Sequence, residues 1–105
     1  MRLTSFLQDG ELTVMLSGEI DHHCAKIYIA DIEAKVEAYT PVECILDFTD
    51  VIFMDSSGIA VVINAMRIMK RLGGRLYLIG LREQPMRVFV ASGIDKLVEI
   101  KERIS

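Results

Sequence analysis

The chain is 105 residues long and 51% hydrophobic with only two prolines, which suits one globular domain built on one core and leaves no length for a second. Its formal charge is −3 and its twelve Lys and Arg residues are scattered, so it lacks the clustered basic surface that nucleic acid demands of a partner. No apolar run is long enough to cross a bilayer and Met1-Arg2-Leu3-Thr4-Ser5 is not a signal peptide, which predicts a cytoplasmic protein with no membrane insertion.

Leu3 to Gln8 and Leu12 to Ser17 are short runs rich in Leu, Val, Thr and Phe, separated by the hairpin dipeptide Asp9-Gly10. They are predicted as paired antiparallel strands. After Gly18-Glu19-Ile20-Asp21 the period becomes helical: Ala25, Tyr28 or Ile29, Ile32, Val36 and Tyr39 fall on one face, while Asp31, Glu33, Lys35 and Glu37 are wet. Asp21 is the expected N-cap, and Thr40-Pro41 ends the helix because proline disfavours helical geometry in the residue before it.

Glu43 to Phe48 reads as a third strand and Ser57 to Leu72 as a long helix carrying Ile59, Val62, Ile63, Met66 and Met69, closed by Gly73-Gly74. Arg75 to Gly80 is a fourth strand. Gln84-Pro85 opens a short helix through Phe89 to Ala91, Ser92-Gly93 ends it, and Leu97 to Ile100 is the last strand. Lys101 to Ser105 fits a helical turn or a tail equally well. The order describes an α/β single domain over residues 1–105, a mixed sheet of about five strands starting with a hairpin and continued by right-handed helical crossovers, with the helices mainly on one face.

Cys24 and Cys44 have no C-x-x-C spacing and read as reduced thiols. In crossover sheets chemistry gathers beyond the carboxyl ends of the parallel strands, where helix N-termini converge. Two loops qualify here: Gly18-Glu19-Ile20-Asp21-His22-His23 and Phe53-Met54-Asp55-Ser56-Ser57-Gly58. In the second, Ser56 or Ser57 is suited to capping the long helix while Gly58 relieves crowding. Capping is compatible with regulation, since a phosphate at that point adds roughly 1.5 to 2 negative charges at the positive end of the helix dipole.

Those two loops, together with Gly73-Gly74, resemble the STAS domain of bacterial anti-sigma factor antagonists, the sporulation type above all, over nearly the whole chain. Differences lie at Ala60 and Asn64, where relatives often carry glycine, and in a shorter tail after Ile100. The resemblance implies a STAS-like fold and a partner switch. The unphosphorylated domain binds an anti-sigma factor that is also a serine kinase, thereby freeing a sigma factor; phosphorylation of the serine after the aspartate, Ser56, turns binding off, and a PP2C-type phosphatase resets it. It further implies that Asp21 and Asp55 flank the modified residue and contribute to docking, with His23, Ser57, Gly58 and Ile59 in the same partner-binding region. The nucleotide and Mg²⁺ belong to the kinase, so the chain needs no cofactor and is not an enzyme.

Other readings are weaker. A serine hydrolase lacks its nucleophile elbow, because Met54 stands where the first glycine of G-x-S-x-G belongs. His22-His23-Cys24 cannot aim three adjacent ligands at one metal, so no metal site is expected. Met54, Met66, Met69 and Met86 suggest an adaptable surface, although the spacing of Met66 and Met69 favours core filling. The rival within the same fold is a STAS component of a lipid transporter or of a stress-sensing complex that works without phosphorylation.

Overall fold

Asp9 and Gly10 both adopt positive φ, 51° and 80°, and this two-residue turn folds β1 (Thr4–Gln8) back against β2 (Glu11–Ile20). The computed structural model describes residues 4–102. It continues through α1 (His22–Tyr39), β3 (Glu43–Met54), α2 (Ser57–Arg71), β4 (Arg75–Ile79), α3 (Glu83–Ser92), a 3₁₀ turn at Ile94–Lys96 and β5 (Glu99–Lys101). The sheet runs in simple chain order, antiparallel between β1 and β2 and parallel from β2 to β5. Lys101, whose structure the sequence left open, therefore belongs to a strand, while Leu3 and residues 103–105 lie outside the described residues.

The strands alternate about the sheet plane. Leu12, Val14 and Leu16 of β2, Cys44, Leu46 and Phe48 of β3 and Leu78 of β4 are buried in one cluster with Tyr28, Ile32 and Val36 of α1, Val62 and Ala65 of α2 and Phe89 of α3. The helices thus cover one face. Phe48 and Phe89 meet edge to face with centroids 5.5 Å apart, fixing α3 over β3.

The buried stripe of α2 is rotated from the one expected. Gly58, Val61, Val62, Ala65, Ile68 and Met69 are buried, whereas Ile59, Ile63 and Met66 flank the stripe half-buried. Small residues at Gly58 and Ala65 let the helix approach the sheet closely, with Val61, Val62, Ile68 and Met69 filling the rest of the contact. Tyr39, placed on the core face by its spacing, is 51% exposed at the end of α1.

Both central strands are longer than predicted. β2 continues through Gly18-Glu19-Ile20 and β3 through Thr49 to Met54, although these segments read as loops or their approaches. The cause is a pair of bulges in β3. Its register against β2 slips between Met15 and Ser17 and again between Gly18 and Glu19, each time with one extra residue on β3. At the first slip Asp47 Oδ1 accepts hydrogen bonds from the Thr49 N–H at 2.9 Å and the Thr49 hydroxyl at 2.6 Å, and the buried Tyr28 hydroxyl lies 3.1 Å from the Ser17 nitrogen that donates to it. Polar side chains thus carry the ladder past a break that interrupts its alternation.

On the other side, β4 ends at Ile79 opposite Asp47. Gly80 turns the chain away at φ 73°, and a Cβ there would stand 2.9 Å from the Thr49 backbone nitrogen. Gly80→Ala combines a left-handed alanine with a backbone clash and is expected to lower the unfolding free energy by about 3 kcal/mol in urea denaturation; a loss below about 1 kcal/mol contradicts this packing. Both cysteines are free, and burial pushes the Cys44 thiol up to about 12. A thiol reagent at mildly alkaline pH should therefore label half-buried Cys24 in the native protein and Cys44 only on unfolding.

Candidate functional site: paired strand ends at Ser56

The parallel ladder of β2 and β3 closes on the pair Ile20 and Met54, followed by one further bond from the Asp55 N–H to the Ile20 carbonyl at 3.2 Å. The next residues, Asp21 and Asp55, therefore leave the sheet side by side at its carboxyl edge. The expected loops shrink accordingly: Gly18-Glu19-Ile20 and Phe53-Met54 are strand, His22 and His23 open α1, and Ser57 and Gly58 open α2. Only Asp21 on one side, and Asp55 with Ser56 on the other, lie between strand and helix.

Each aspartate caps its own helix. Asp21 Oδ1 accepts from the Cys24 N–H at 2.8 Å, and that bond, with a contribution from the Cys24 thiol, holds the Asp21 carboxyl below the usual carboxylate range. Asp55 Oδ1 accepts from the Ser57 N–H at 2.8 Å. Ser56 occupies the N-cap position by its backbone but adopts φ −61° and ψ −15° and makes no side-chain cap hydrogen bond. The capping role that the sequence assigned to a serine is thus performed by Asp55, one residue earlier, and the exposed Ser56 hydroxyl is left unused by the helix.

Gly58 is buried where α2 crosses the end of β3, and a Cβ there would stand 2.5 Å from Met54 Sδ. The crowding that this glycine relieves is real. Ile59 is half-buried beside it and Ala60 exposed, with the Asn64 side chain donating to the Ala60 carbonyl at 2.8 Å. Ala60 and Asn64 are thus joined on one face of α2.

Three residues near Ser56, namely Ile52, Phe53 and Gln84, were not among the expected site residues, although Phe53 opens one of the two loops named from the sequence. Val51 and Met54 are buried, but Ile52 and Phe53 between them are 58% and 47% exposed, an apolar pair directly before the Asp55 turn. Gln84, at the start of α3, bonds both backbone groups of Met54: it accepts from the N–H at 2.9 Å and donates to the carbonyl at 2.9 Å. An apolar run too long for a loop was the available signal for the first pair. For Gln84 there was none, since its partner is thirty positions distant.

Chemically the site is an exposed alcohol at a helix start, one residue after Asp55 and at the same sheet edge as Asp21, with exposed Ile52 and Phe53 on the strand before it. His22 and His23 are exposed on the first turn of α1. Among the described residues no three His, Cys, Asp or Glu side chains converge to hold a metal, and no helix is long and apolar enough to cross a membrane.

Residues 7–105 match the STAS domain family. The chain belongs to that family. This STAS domain is 30% identical over 93 residues to the anti-sigma-B factor antagonist of Listeria monocytogenes, covering 86% of the chain and 78% of the relative. It is 28% identical over 91 residues to the anti-sigma F factor antagonist of Paenibacillus polymyxa, with 87% and 78% covered. In three dimensions it matches the anti-sigma factor antagonist SpoIIAA in its unphosphorylated form with a TM-score of 0.87 at 25% identity, over 99% of this chain and 90% of that one. The Bacillus cell fate determinant SpoIIAA in its phosphorylated form follows at 0.78 and 25%, with 99% and 93% covered. A sulfate transporter family protein from Wolinella succinogenes shares the fold at 0.74 and 17%, over 89% of this chain and 75% of that one.

Asp55→Ala should cost about 1 kcal/mol in thermal or urea unfolding while Asp55→Asn, which can still cap, costs little; equal losses contradict the capping assignment. The Asp21 carboxyl is held below its ordinary value of 3.8, so its contribution is intact above that pH and disappears as the pH falls through the lower folded value. The stability gap between the parent protein and Asp21→Ala should accordingly narrow from about pH 5 to about pH 2.

Proposed function

We propose that the chain is an anti-sigma factor antagonist whose activity is set by the phosphorylation state of Ser56. In this reading residues 1–105 act as one STAS domain in the cytoplasm. Unmodified, it docks an anti-sigma factor that is also a serine kinase and so frees a sigma factor. The kinase transfers phosphate from its own Mg²⁺-bound nucleotide to Ser56 and the complex dissociates, and a PP2C-type phosphatase restores the alcohol. The observation that carries this reading is the Ser56 hydroxyl itself, exposed at the start of α2 and not consumed by capping because Asp55 performs that task.

The surroundings support it. Asp21 and Asp55 stand at the ends of neighbouring strands, and exposed His23 with half-buried Ser57 and Ile59 lie within the first turns of the two helices, giving a compact partner-binding surface; Gly58, expected there too, is buried against Met54 and serves the surface only from beneath. Half-exposed Ile52 and Phe53 add apolar area beside it. The relatives named as antagonists, and a solved relative in its phosphorylated form, favour the same reading. A transporter component of the same fold is the alternative, and its separate test is the absence of any modification at Ser56.

A phosphate at Ser56 meets the positive end of the α2 dipole, a favourable effect of up to about 1 kcal/mol, and it also sets negative charge next in the chain to the Asp55 carboxylate. These oppose each other within the folded domain. At a docked interface, by contrast, roughly two added charges have to be desolvated against the partner, so modification acts on binding and not on folding. Incubation with an anti-sigma factor serine kinase and Mg-ATP, followed by mass spectrometric mapping, should place the label on Ser56; label on Ser57 alone, or none, overturns the assignment. Ser56→Asp should melt within about 5 °C of the parent while losing partner affinity, and Ser56→Ala should bind constitutively.

A further inference from the structure

We propose that Gln84 is a positioning residue for the Ser56 site, its side-chain amide standing in for a missing strand at Met54 and holding the strand-to-helix turn in the geometry a modifying kinase reads. The inference rests on the reading of Ser56 as the modified residue.

The need arises from unequal strand lengths. β4 pairs with β3 only as far as Ile79 and Asp47, whereas β3 runs on to Met54. Its last residues are paired with β2 on one side alone, and their outward backbone groups lack a strand partner. Two side chains from the segment after β4 serve them. Arg82 Nε donates to the Thr49 carbonyl at 2.8 Å, and Gln84 bonds both the N–H and the carbonyl of Met54. A primary amide carries one acceptor and a donor pair in one plane, so it reproduces the edge of a peptide group; the reach from the first turn of α3 requires the glutamine length.

The consequence falls on Ser56. Met54 is anchored towards α3 by Gln84, and Asp55 is anchored towards β2 by its bond to the Ile20 carbonyl. Consecutive residues are thus held from opposite sides immediately before the serine. Met54 is fully buried under Gly58, so a shift of its backbone would pass directly into the first turn of α2. Without the amide the last part of β3 is free on one side, and the serine loses its fixed approach to a kinase.

The test uses Gln84→Ala, which removes both bonds, and Gln84→Glu, which keeps the shape but sets a carboxylate oxygen against the Met54 carbonyl. Amide hydrogen exchange of the whole protein, expressed as protection factors, should fall roughly ten-fold at Met54 in Gln84→Ala, with the β2 and β3 amides before Phe48 unchanged. In Gln84→Glu the turn from Met54 to Ser57 should loosen at neutral pH and regain protection near pH 4, where the protonated acid again offers a donor and an acceptor. With the kinase that labels the parent protein, kcat/KM for Ser56 phosphorylation should fall roughly ten-fold in Gln84→Ala, as expected for a misplaced hydroxyl.

Unchanged protection at Met54, an equal loss over the entire core, or loosened exchange with an unaltered phosphorylation rate would each overturn the proposal. A parent protein that no serine kinase modifies at Ser56 sinks the underlying reading instead, and the exchange data then decide the Gln84 clamp alone.

Discussion

Parallel pairing of β2 with β3 all the way to Ile20 and Met54 is the constraint on which the rest depends. It brings two segments separated by an 18-residue helix to one edge of the sheet, so that Asp21 and Asp55 emerge as neighbours. Each then starts a helix by capping it with its own carboxylate. Had the ladder stopped at Asp47, where β4 stops, Ser56 would sit on a long loop with no fixed relation to Asp21. Two bulges in β3 let the pairing continue while the strand bends; side chains serve the backbone at the first of them, Asp47 for Thr49 and Tyr28 for Ser17, and Gln84 serves Met54 on the edge that β4 leaves open.

On the proposed reading this arrangement separates stability from signalling. The core lies on the helical face around Tyr28, Leu46, Phe48 and Phe89, while the exposed residues at the sheet edge carry little of that packing. Ser56 contributes neither a cap nor buried area, so its alcohol can be exchanged for another group without dismantling the fold. Charge there is felt mainly by whatever approaches the surface. On the proposed reading, a domain built in this way switches between two binding states that share a single folded structure.

Much of the architecture was legible from residue patterns. The Asp9-Gly10 hairpin, the Asp21 cap, the end of α1 before Pro41, the glycine-terminated α2 and the parallel order follow from turn chemistry and from the change of apolar period. Strand ends were not legible. Thr49-Asp50 breaks the alternation of β3 and reads as a terminus, because a bulge satisfied by Asp47 leaves no mark in a linear pattern. The choice of cap failed for a related reason: aspartate and serine are both good caps in adjacent positions, and only the backbone of Ser56, already helical at φ −61°, decides for Asp55. Gln84 was invisible since its role depends on where β4 ends. The family resemblance pointed to Ser56 through its motif, and the local geometry adds that its hydroxyl is exposed and not used in capping.

The most direct measurement is calorimetric titration of an anti-sigma factor serine kinase with two preparations of this STAS domain, one unmodified and one carrying a single phosphate on Ser56, both shown to be folded by their melting curves. A tight complex with the unmodified protein and an affinity weaker by roughly a hundred-fold or more with the phosphorylated one is the predicted result, an interfacial penalty near 3 kcal/mol. Equal affinities for the two folded forms would contradict the switch.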